Sequence, residues 1–217
     1  MTDSLLDELT AQLQPVKPLR NQPLWLGAVV ALILAVVYIL KFYGLRPELT
    51  ALLHGFWPAH VMAIVKPLIF LLTGACALWA VTGLSRPEGR LKPVYLAPVA
   101  LMAAVVVVSL ILDLFRSGMG QLAEDLNGGV LVCFTTILCG GMAGLVVLWR
   151  LWLRRSATSH PVTLGAMAGL AAASLMAAAY ALHCNMDAPV YIVFVYGLAV
   201  ALFSGFAALL GSKLLRW

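Results

Sequence analysis

The sequence predicts an all-α, polytopic membrane protein that crosses the bilayer six times. Of its 217 residues, 63% are hydrophobic and 11% are charged, whereas about a quarter of the residues in a soluble domain are charged. Because a spanning helix takes roughly 20 residues, a chain of this length provides about six spans and little else. These observations exclude a large soluble catalytic module, a nucleotide-binding fold and a protein that reads nucleic acid directly.

Six apolar runs are long enough to cross about 30 Å of hydrocarbon. They are Leu24–Leu40, His60–Leu84, Val94–Phe115, Gly129–Trp149, Val162–His183 and Pro189–Leu210. The polar and apolar alternation that each strand of a membrane β-barrel needs is absent from them, so they predict helices. The chain therefore divides into a cytoplasmic tail, residues 1–22, and a six-helix transmembrane domain, residues 23–217.

Lys and Arg are distributed unevenly between the two sides of the membrane. If the N-terminus is cytoplasmic, that side carries ten basic residues: Lys17, Arg20, Arg86, Arg90, Lys92, Arg150, Arg154, Arg155, Lys213 and Arg216. The other side carries three: Lys41, Arg46 and Arg116. Because cytoplasmic loops hold the excess of basic residues, this distribution predicts that both termini lie in the cytoplasm.

Small residues recur at helical spacing in the fourth and fifth runs. Gly140 with Gly144, and Gly165 with Gly169, each form a small-x-x-x-small pair that allows two helix backbones to approach closely. A substrate path lined by small residues is the alternative, but close helix packing is the commoner use of the pattern. The link between these two runs is short, so we expect them to be antiparallel neighbours.

Two ionisable residues, Lys66 and Asp113, lie within the apolar runs. They could form an ion pair on a transport route, but we expect both to reach the outer interface, where Lys extends to water and Asp is hydrated. Transporters generally bury several ionisable groups near the middle of the membrane. The middle thirds of these runs contain almost none, so the sequence disfavours transport.

Two of the four cysteines are predicted to meet at the outer face. Cys76 and Cys139 fall in the middle of runs, where a thiol acts as a small apolar filler. At 1.5 Å per residue, Cys133 stands about 30 Å above Leu153, and Cys184 stands about 34 Å above the start of the fifth run. If the fourth and fifth helices touch, the two thiols come close enough for a reversible dithiol/disulfide pair.

The same side of the membrane offers further soft ligands. The residues that could hold copper or zinc there are Cys133, Cys184, His183, Met186, His54 and His60, with Met119 and Asp187 nearby. Thiolate, thioether and imidazole are ligands that Cu(I) or Zn prefers. However, the chain has no C-x-x-C, and its spacings match no known metal-site motif. We therefore rank a heavy-metal signal below the dithiol pair and expect no resident cofactor.

The N-terminal tail contains a short amphipathic segment, Ser4–Leu13. Its apolar face is formed by Leu5, Leu6, Leu9 and Leu13. Helices that lie on membranes usually carry basic residues on the polar face, whereas this segment carries Asp7 and Glu8. We therefore expect the leucines to bind a basic cytoplasmic protein rather than lipid.

Four short segments carry a pattern shared with one protein family. They are residues 15–19 (Pro-Val-Lys-Pro-Leu), Arg86-Pro87, residues 180–184 (Tyr-Ala-Leu-His-Cys) and the closing residues 209–217. Together they resemble the NrsF family of six-span membrane anti-sigma factors. The layout agrees over the whole chain, and the Ala-Leu-His-Cys element is its most specific part.

The resemblance implies a negative regulator in the inner membrane of a Gram-negative bacterium that binds an extracytoplasmic-function (ECF) sigma factor. In that family a cysteine on the fourth helix and a cysteine in the His-Cys element sense redox or heavy-metal stress, and these correspond to Cys133 and Cys184. Leu131-Val132-Cys133 fits the family pattern. Many relatives have Pro or Glu after the His-Cys pair, whereas this chain has Asn185-Met186.

Two other function classes compete with this regulator, which is not an enzyme. A quinone-coupled thiol-disulfide oxidoreductase needs a second, fast-exchanging cysteine pair. A small metal transporter needs ligands repeated along its path. The sequence offers one outer cysteine pair and no such repeat, so it favours regulation.

Overall fold

The computed structural model describes residues 21–56, 61–101, 103–104, 107–108, 110–112, 115 and 129–215. All regular elements in these residues are helical, which confirms the all-α class for this part of the chain. The longer elements are α1 (Gln22–Phe42), α2 (Pro47–Leu53), α3 (Met62–Leu84), α4 (Val130–Leu151), α5 (Pro161–Ala181) and α6 (Pro189–Leu214). Short 3₁₀ turns occupy Pro93–Leu96 and Leu153–Arg155, and α6 contains a π-helical stretch at Ile192–Gly197.

Proline marks the start of most of these helices. Pro23, Pro47, Pro161 and Pro189 stand in the first turn of α1, α2, α5 and α6. This position suits proline because its fixed φ is already helical and the first turn needs no N–H from it. The helix boundaries near the functional site therefore follow directly from the sequence.

Five helices in the described residues are long and apolar enough to span a membrane. They are Gln22–Phe42, Met62–Leu84, Val130–Arg155, Pro161–Ala181 and Pro189–Leu214, and they match five of the six predicted runs. The remaining run, Val94–Phe115, is helical at each described residue from 97 to 115, while the others in that stretch lie outside the described residues. The sixth span and the cytoplasmic location of both termini stay predictions.

The helix α5 forms the centre of the bundle. It contacts α6, α3, α4 and α1, and 72% of its most apolar stretch is buried, against 22% for α1. Ala and Gly cover all faces of α5, so neighbouring helices can approach it from every side. The predicted contact between α4 and α5 is confirmed.

The glycine pairs lie at helix contacts, as predicted. A Cβ added to Gly144 would stand 3.3 Å from the Cβ of Ala172, which places this glycine against α5. A Cβ added to Gly165 would meet the carbonyl oxygen of Ala207, and one added to Gly169 would lie 3.1 Å from the Cα of Ser204. The pair on α4 therefore serves the contact with α5, and the pair on α5 serves the contact with α6.

A buried indole connects α3 and α4 at the end of these helices that lies away from the cysteines. Trp152 is buried, and its Nε1 donates a hydrogen bond of 2.7 Å to the Ser85 hydroxyl. The Ser159 hydroxyl donates to the carbonyl of Pro87 in the neighbouring loop. These bonds join the loop at residues 85–92 to the segment at residues 150–160, and the two together carry five exposed arginines: Arg86, Arg90, Arg150, Arg154 and Arg155.

A valine at position 165 should destabilise the bundle. Gly165→Val drives a branched side chain against the backbone of α6, which cannot move away as a flexible side chain could, and overpacking of this kind costs about 1–3 kcal/mol. The matched control is Gly205→Val on α6, where an added Cβ meets nothing within 4 Å. Thermal unfolding in detergent should show a lower midpoint for Gly165→Val alone. Equal midpoints would contradict the close contact of α5 and α6.

Candidate functional site

The candidate site lies where the first turn of α4, the loop at residues 182–188 and the start of α6 meet. Cys133 belongs to the first turn of α4, where its backbone N–H bonds to the carbonyl of Gly129. Cys184 follows the last turn of α5, and its N–H bonds to the carbonyl of Tyr180. A helix therefore holds one thiol, and a loop presents the other.

The two cysteine sulfurs face each other. The Sγ atoms of Cys133 and Cys184 are 4.0 Å apart, the side chains are 4% and 5% exposed, and both thiols are free. This is the proximity that the heights of the two residues predict. A disulfide has an S–S bond of about 2.05 Å, so its formation requires the sulfurs to approach by about 2 Å.

Two tyrosine hydroxyls surround Cys133. Tyr191 donates a hydrogen bond of 2.9 Å to its Sγ, and the thiol lies 3.4 Å from the hydroxyl of Tyr180, to which it can donate. The ring of Tyr180 also contacts Tyr43 edge-on, with centroids 5.8 Å apart. The hydroxyls supply polar partners to a sulfur that is otherwise enclosed by apolar side chains.

A buried lysine fastens the loop that carries Cys184. The Nζ of Lys66, on α3, donates 2.9 Å hydrogen bonds to the carbonyls of Cys184 and Met186 and lies 3.1 Å from the carboxylate of Asp187. Its three N–H groups thus have three acceptors. The ammonium also stands 5.0 Å from the centre of the Tyr196 ring, which adds a cation–π contact.

A buried arginine grips the same loop from the α1–α2 linker. The guanidinium of Arg46 binds both carboxylate oxygens of Asp187, at 3.1 and 2.7 Å, and donates to the carbonyl of Cys184 at 3.2 Å. Its Nε pairs with Glu48 at 3.2 Å. We refer to Arg46, Lys66 and Asp187 as the loop clamp.

Arg46 and Asp187 of the loop clamp are both ionised. Burial by itself would raise the pKa of Asp187, but hydrogen bonds from Arg46 and the charge of Lys66 hold it below its usual range. Burial would lower the pKa of Arg46, but its bonds to Asp187 and Glu48 raise it above the ordinary value. Arg46 and Asp187 therefore keep their charges across the physiological pH range.

The Cys184 thiol is acidic for a buried cysteine. A hydrogen bond from Cys133 lowers its pKa, burial opposes this, and the positive charge of Lys66 lowers it further, so that the pKa of Cys184 lies below its ordinary value. A thiolate is the reactive form of cysteine. Cys184 is therefore the nucleophile of the pair, and Cys133 is the thiol that supplies the hydrogen bond.

The expectation that Lys66 reaches water at the outer interface is wrong. Its side chain is 2% exposed, because Asp187 and two loop carbonyls satisfy the ammonium inside the protein. Asp113, the partner considered in the sequence, lies outside the described residues. Sequence reasoning placed Asp187 at the same end of the bundle as Cys133 and Cys184 but did not connect it with Lys66 or Arg46.

The predicted metal ligands do not form a site in the part of the chain that the structure describes, where no three His, Cys, Asp or Glu side chains come together. His183 bonds through Nδ1 to the carbonyl of Gly44 at 3.3 Å, and its ring contacts Tyr43. His54 is exposed at the end of α2. Met186 offers its carbonyl to Lys66, and His60 lies outside the described residues.

The proposed partner-binding residues Leu5, Leu6, Leu9 and Leu13 also lie outside the described residues. The described residues begin at Asn21, directly before α1. The structure therefore shows where the tail joins the bundle.

Disulfide formation between Cys133 and Cys184 should depend little on pH between about pH 6 and pH 8. Because the pKa of Cys184 lies below its ordinary value, its thiolate fraction should fall much less over this range than that of an ordinary thiol with a pKa of about 8.5, which would lose roughly 80-fold of its thiolate. The rate is measured with diamide in a Cys76→Ala/Cys139→Ala background. Lys66→Gln removes the nearby charge and should restore a fall in rate toward low pH. A tenfold fall per pH unit in the unsubstituted site would contradict the thiolate.

Comparison with known proteins identifies the chain at the level of a family. No curated protein and no solved structure matches it. The family model NrsF, described as a negative regulator of sigma F, matches residues 9–217, which is nearly the whole chain. The described residues contain five helices that are long and apolar enough to span a membrane, which is compatible with the six-span layout of that resemblance. The chain belongs to the NrsF family, whose description makes it a negative regulator of a sigma factor, an anti-sigma factor.

Proposed function

We propose that this chain is an inner-membrane anti-sigma factor that holds an ECF sigma factor and releases it when Cys133 and Cys184 respond to stress outside the cytoplasm. The observation that carries the proposal is the pair of buried sulfurs 4.0 Å apart, contributed by two separate elements. Family membership supports the sigma-factor partner. The cysteine pair supplies the signal, and the tail supplies the contact with the partner.

The sensing step is a thiol–disulfide exchange. The Cys184 thiolate attacks an external disulfide, forms a mixed disulfide and releases one thiolate of the oxidant. Cys133 then loses its proton and attacks the Cys184 sulfur, which expels the second thiolate. The pair has given up two electrons and one thiol proton, and a Cys133–Cys184 bond joins α4 to the loop after α5.

The energy of one disulfide suits a partial switch. To move a protein from 99% bound to 99% released, the signal must favour the releasing state by about 5.5 kcal/mol, and a disulfide typically contributes about 2–4 kcal/mol. The resting equilibrium must therefore already lie close to release. The Sγ atoms of Cys133 and Cys184 need to approach by only about 2 Å to bond, which is compatible with a resting equilibrium close to release.

Capture of a soft metal ion between the two thiols is the alternative signal. Thiolates select Cu(I) and other thiophilic metals, but among the described residues no His, Asp, Glu or further Cys joins the pair as a third ligand. Exposing the purified protein to diamide with a chelator, or to Cu(I) without oxidant, separates the two signals. Release of the partner under diamide alone supports disulfide formation, and release under Cu(I) alone replaces it with metal capture.

The sensor role predicts that Cys133→Ser and Cys184→Ser each keep a reporter gene of the sigma factor repressed during oxidant stress, because neither variant can form the bond. Cys76→Ser and Cys139→Ser are the matched controls and should retain induction, since both residues lie inside helices away from the pair. Reporter activity is measured with and without oxidant. Normal induction in both sensor variants would contradict the proposal.

The tail is proposed to hold the sigma factor through Leu5, Leu6, Leu9 and Leu13. Deleting residues 2–14 should abolish co-purification of the sigma factor with the membrane protein, because the apolar contact face is lost. Leu6→Asp with Leu9→Asp should have the same effect without shortening the chain, whereas Ala11→Ser, on the opposite side of the predicted helix, should have none. Retention of the partner by the deleted protein would move the binding surface to the arginine-bearing loops at residues 85–92 and 150–160.

A further inference from the structure

We propose that Arg46 is the positioning residue that passes a change at the cysteine pair to α1 and so to the cytoplasmic tail. The inference rests on the proposed function, because it names the route by which that sensor reaches the partner-binding segment. It begins from the contacts of the loop clamp. These contacts join the loop that carries Cys184 to the end of the helix that carries the tail.

The loop, and not α4, must supply most of the movement when the two sulfurs join. Cys133 is held by the backbone hydrogen bonds of a helix and by Tyr191. Cys184 lies in the irregular segment at residues 182–188. Closing the gap of about 2 Å to a disulfide therefore displaces the backbone of Cys184, whose carbonyl is bound by Arg46 at 3.2 Å.

The α1–α2 linker contacts this loop at several consecutive points. The N–H of Arg46 bonds to the carbonyl of Leu182 at 3.1 Å, and the carbonyl of Gly44 meets His183 at 3.3 Å. The bidentate pair with Asp187 completes the contact. A planar guanidinium held on two carboxylate oxygens resists rotation, so the linker moves with the loop.

The linker is short and continues directly into α1. The N–H groups of Tyr43 and Gly44 both bond to the carbonyl of Ile39, in the last turn of that helix. Gly44 adopts φ 81°, which makes the tight turn that leads to Arg46. A shift of Arg46 is therefore passed to a rigid helix of 21 residues.

The helix α1 has room to move. Only 22% of its most apolar stretch is buried, and a cavity of about 550 Å³ lies between α1, α4 and α5. Small residues on α1, including Gly27, Ala31 and Ala35, line that cavity. By contrast, α3, which holds Lys66, is packed against α5. The loop is thus tied to one loosely packed helix and one firmly packed helix.

A pair of indoles at the far end of these helices can report the movement. Trp25 on α1 and Trp79 on α3 make an edge-on contact with ring centroids 6.2 Å apart. A shift of α1 relative to α3 changes this contact. Because fluorine in 5-fluorotryptophan is sensitive to a neighbouring ring, ¹⁹F NMR detects the change without an added cysteine label.

The experiment uses the full chain in detergent with Cys76→Ala and Cys139→Ala, labelled with 5-fluorotryptophan. Trp25→Phe and Trp79→Phe assign the two resonances, and a thiol gel-shift assay reports the fraction of the Cys133–Cys184 bond. Diamide should shift both resonances in the unsubstituted protein. In Arg46→Lys the bond should form to the same extent, but both resonances should stay at their reduced positions, because an ammonium cannot hold Asp187 and Cys184 as the guanidinium does.

Glu48→Gln is the matched control. It removes the partly exposed contact of Arg46 but leaves the contacts with Cys184 and Asp187, so its resonances should shift as in the unsubstituted protein. A second variant keeps the test valid if Arg46→Lys misfolds. Two glycines inserted after Gly44 leave the loop clamp intact and separate it from α1. This insertion should also allow the disulfide and abolish the resonance shift.

The outcomes separate this inference from the function on which it rests. Equal resonance shifts in the unsubstituted protein, Arg46→Lys and the glycine insertion would overturn the role of Arg46 while leaving the cysteine sensor in place. Failure of the unsubstituted pair to form a disulfide would overturn the sensor itself. Disulfide formation with the shift lost in both variants supports the route through Arg46.

Discussion

The loop clamp, formed by Arg46, Lys66 and Asp187, is the constraint on which the site depends. An unpaired charge inside a protein costs several kcal/mol, so each cation must find the carboxylate and the loop carbonyls, and the carboxylate must find both cations. This requirement brings the α1–α2 linker, α3 and the loop after α5 to one point. Cys184 lies in that loop, and its distance from Cys133 is therefore set by electrostatics as well as by helix packing.

The loop clamp also explains how the thiols of Cys133 and Cys184 can be close without being bonded. It binds the backbone of Cys184 and not its sulfur, so the thiol is open to reaction, and a displacement of the Cys184 main chain is passed to Arg46 and Lys66. Lys66 also favours the thiolate. The same charges therefore orient the nucleophile, raise its reactivity and connect it to two different helices.

The helices of the bundle are packed unequally, and this difference decides how a movement of the loop clamp affects them. The small residues of α5 allow close contact on all sides and make it a rigid centre, whereas α1 lies beside a cavity with most of its surface outside the core. A displacement of the loop that carries Cys184 is therefore passed to α1, to which Arg46 connects it. That helix leads to the tail.

The pattern of residues along the chain determined the spans, the glycine contacts between helices and the matching heights of Cys133 and Cys184, because these features follow from helical rise and from the length of apolar runs. The tertiary structure decided the partners of Lys66 and Arg46 and the tyrosine environment of Cys133. Arg46 and Asp187 are 141 positions apart and share no local period, so nothing in the sequence pairs them. Their contact exists because three separate elements pack at the same depth and bury the charges of Arg46 and Lys66 beside the carboxylate of Asp187.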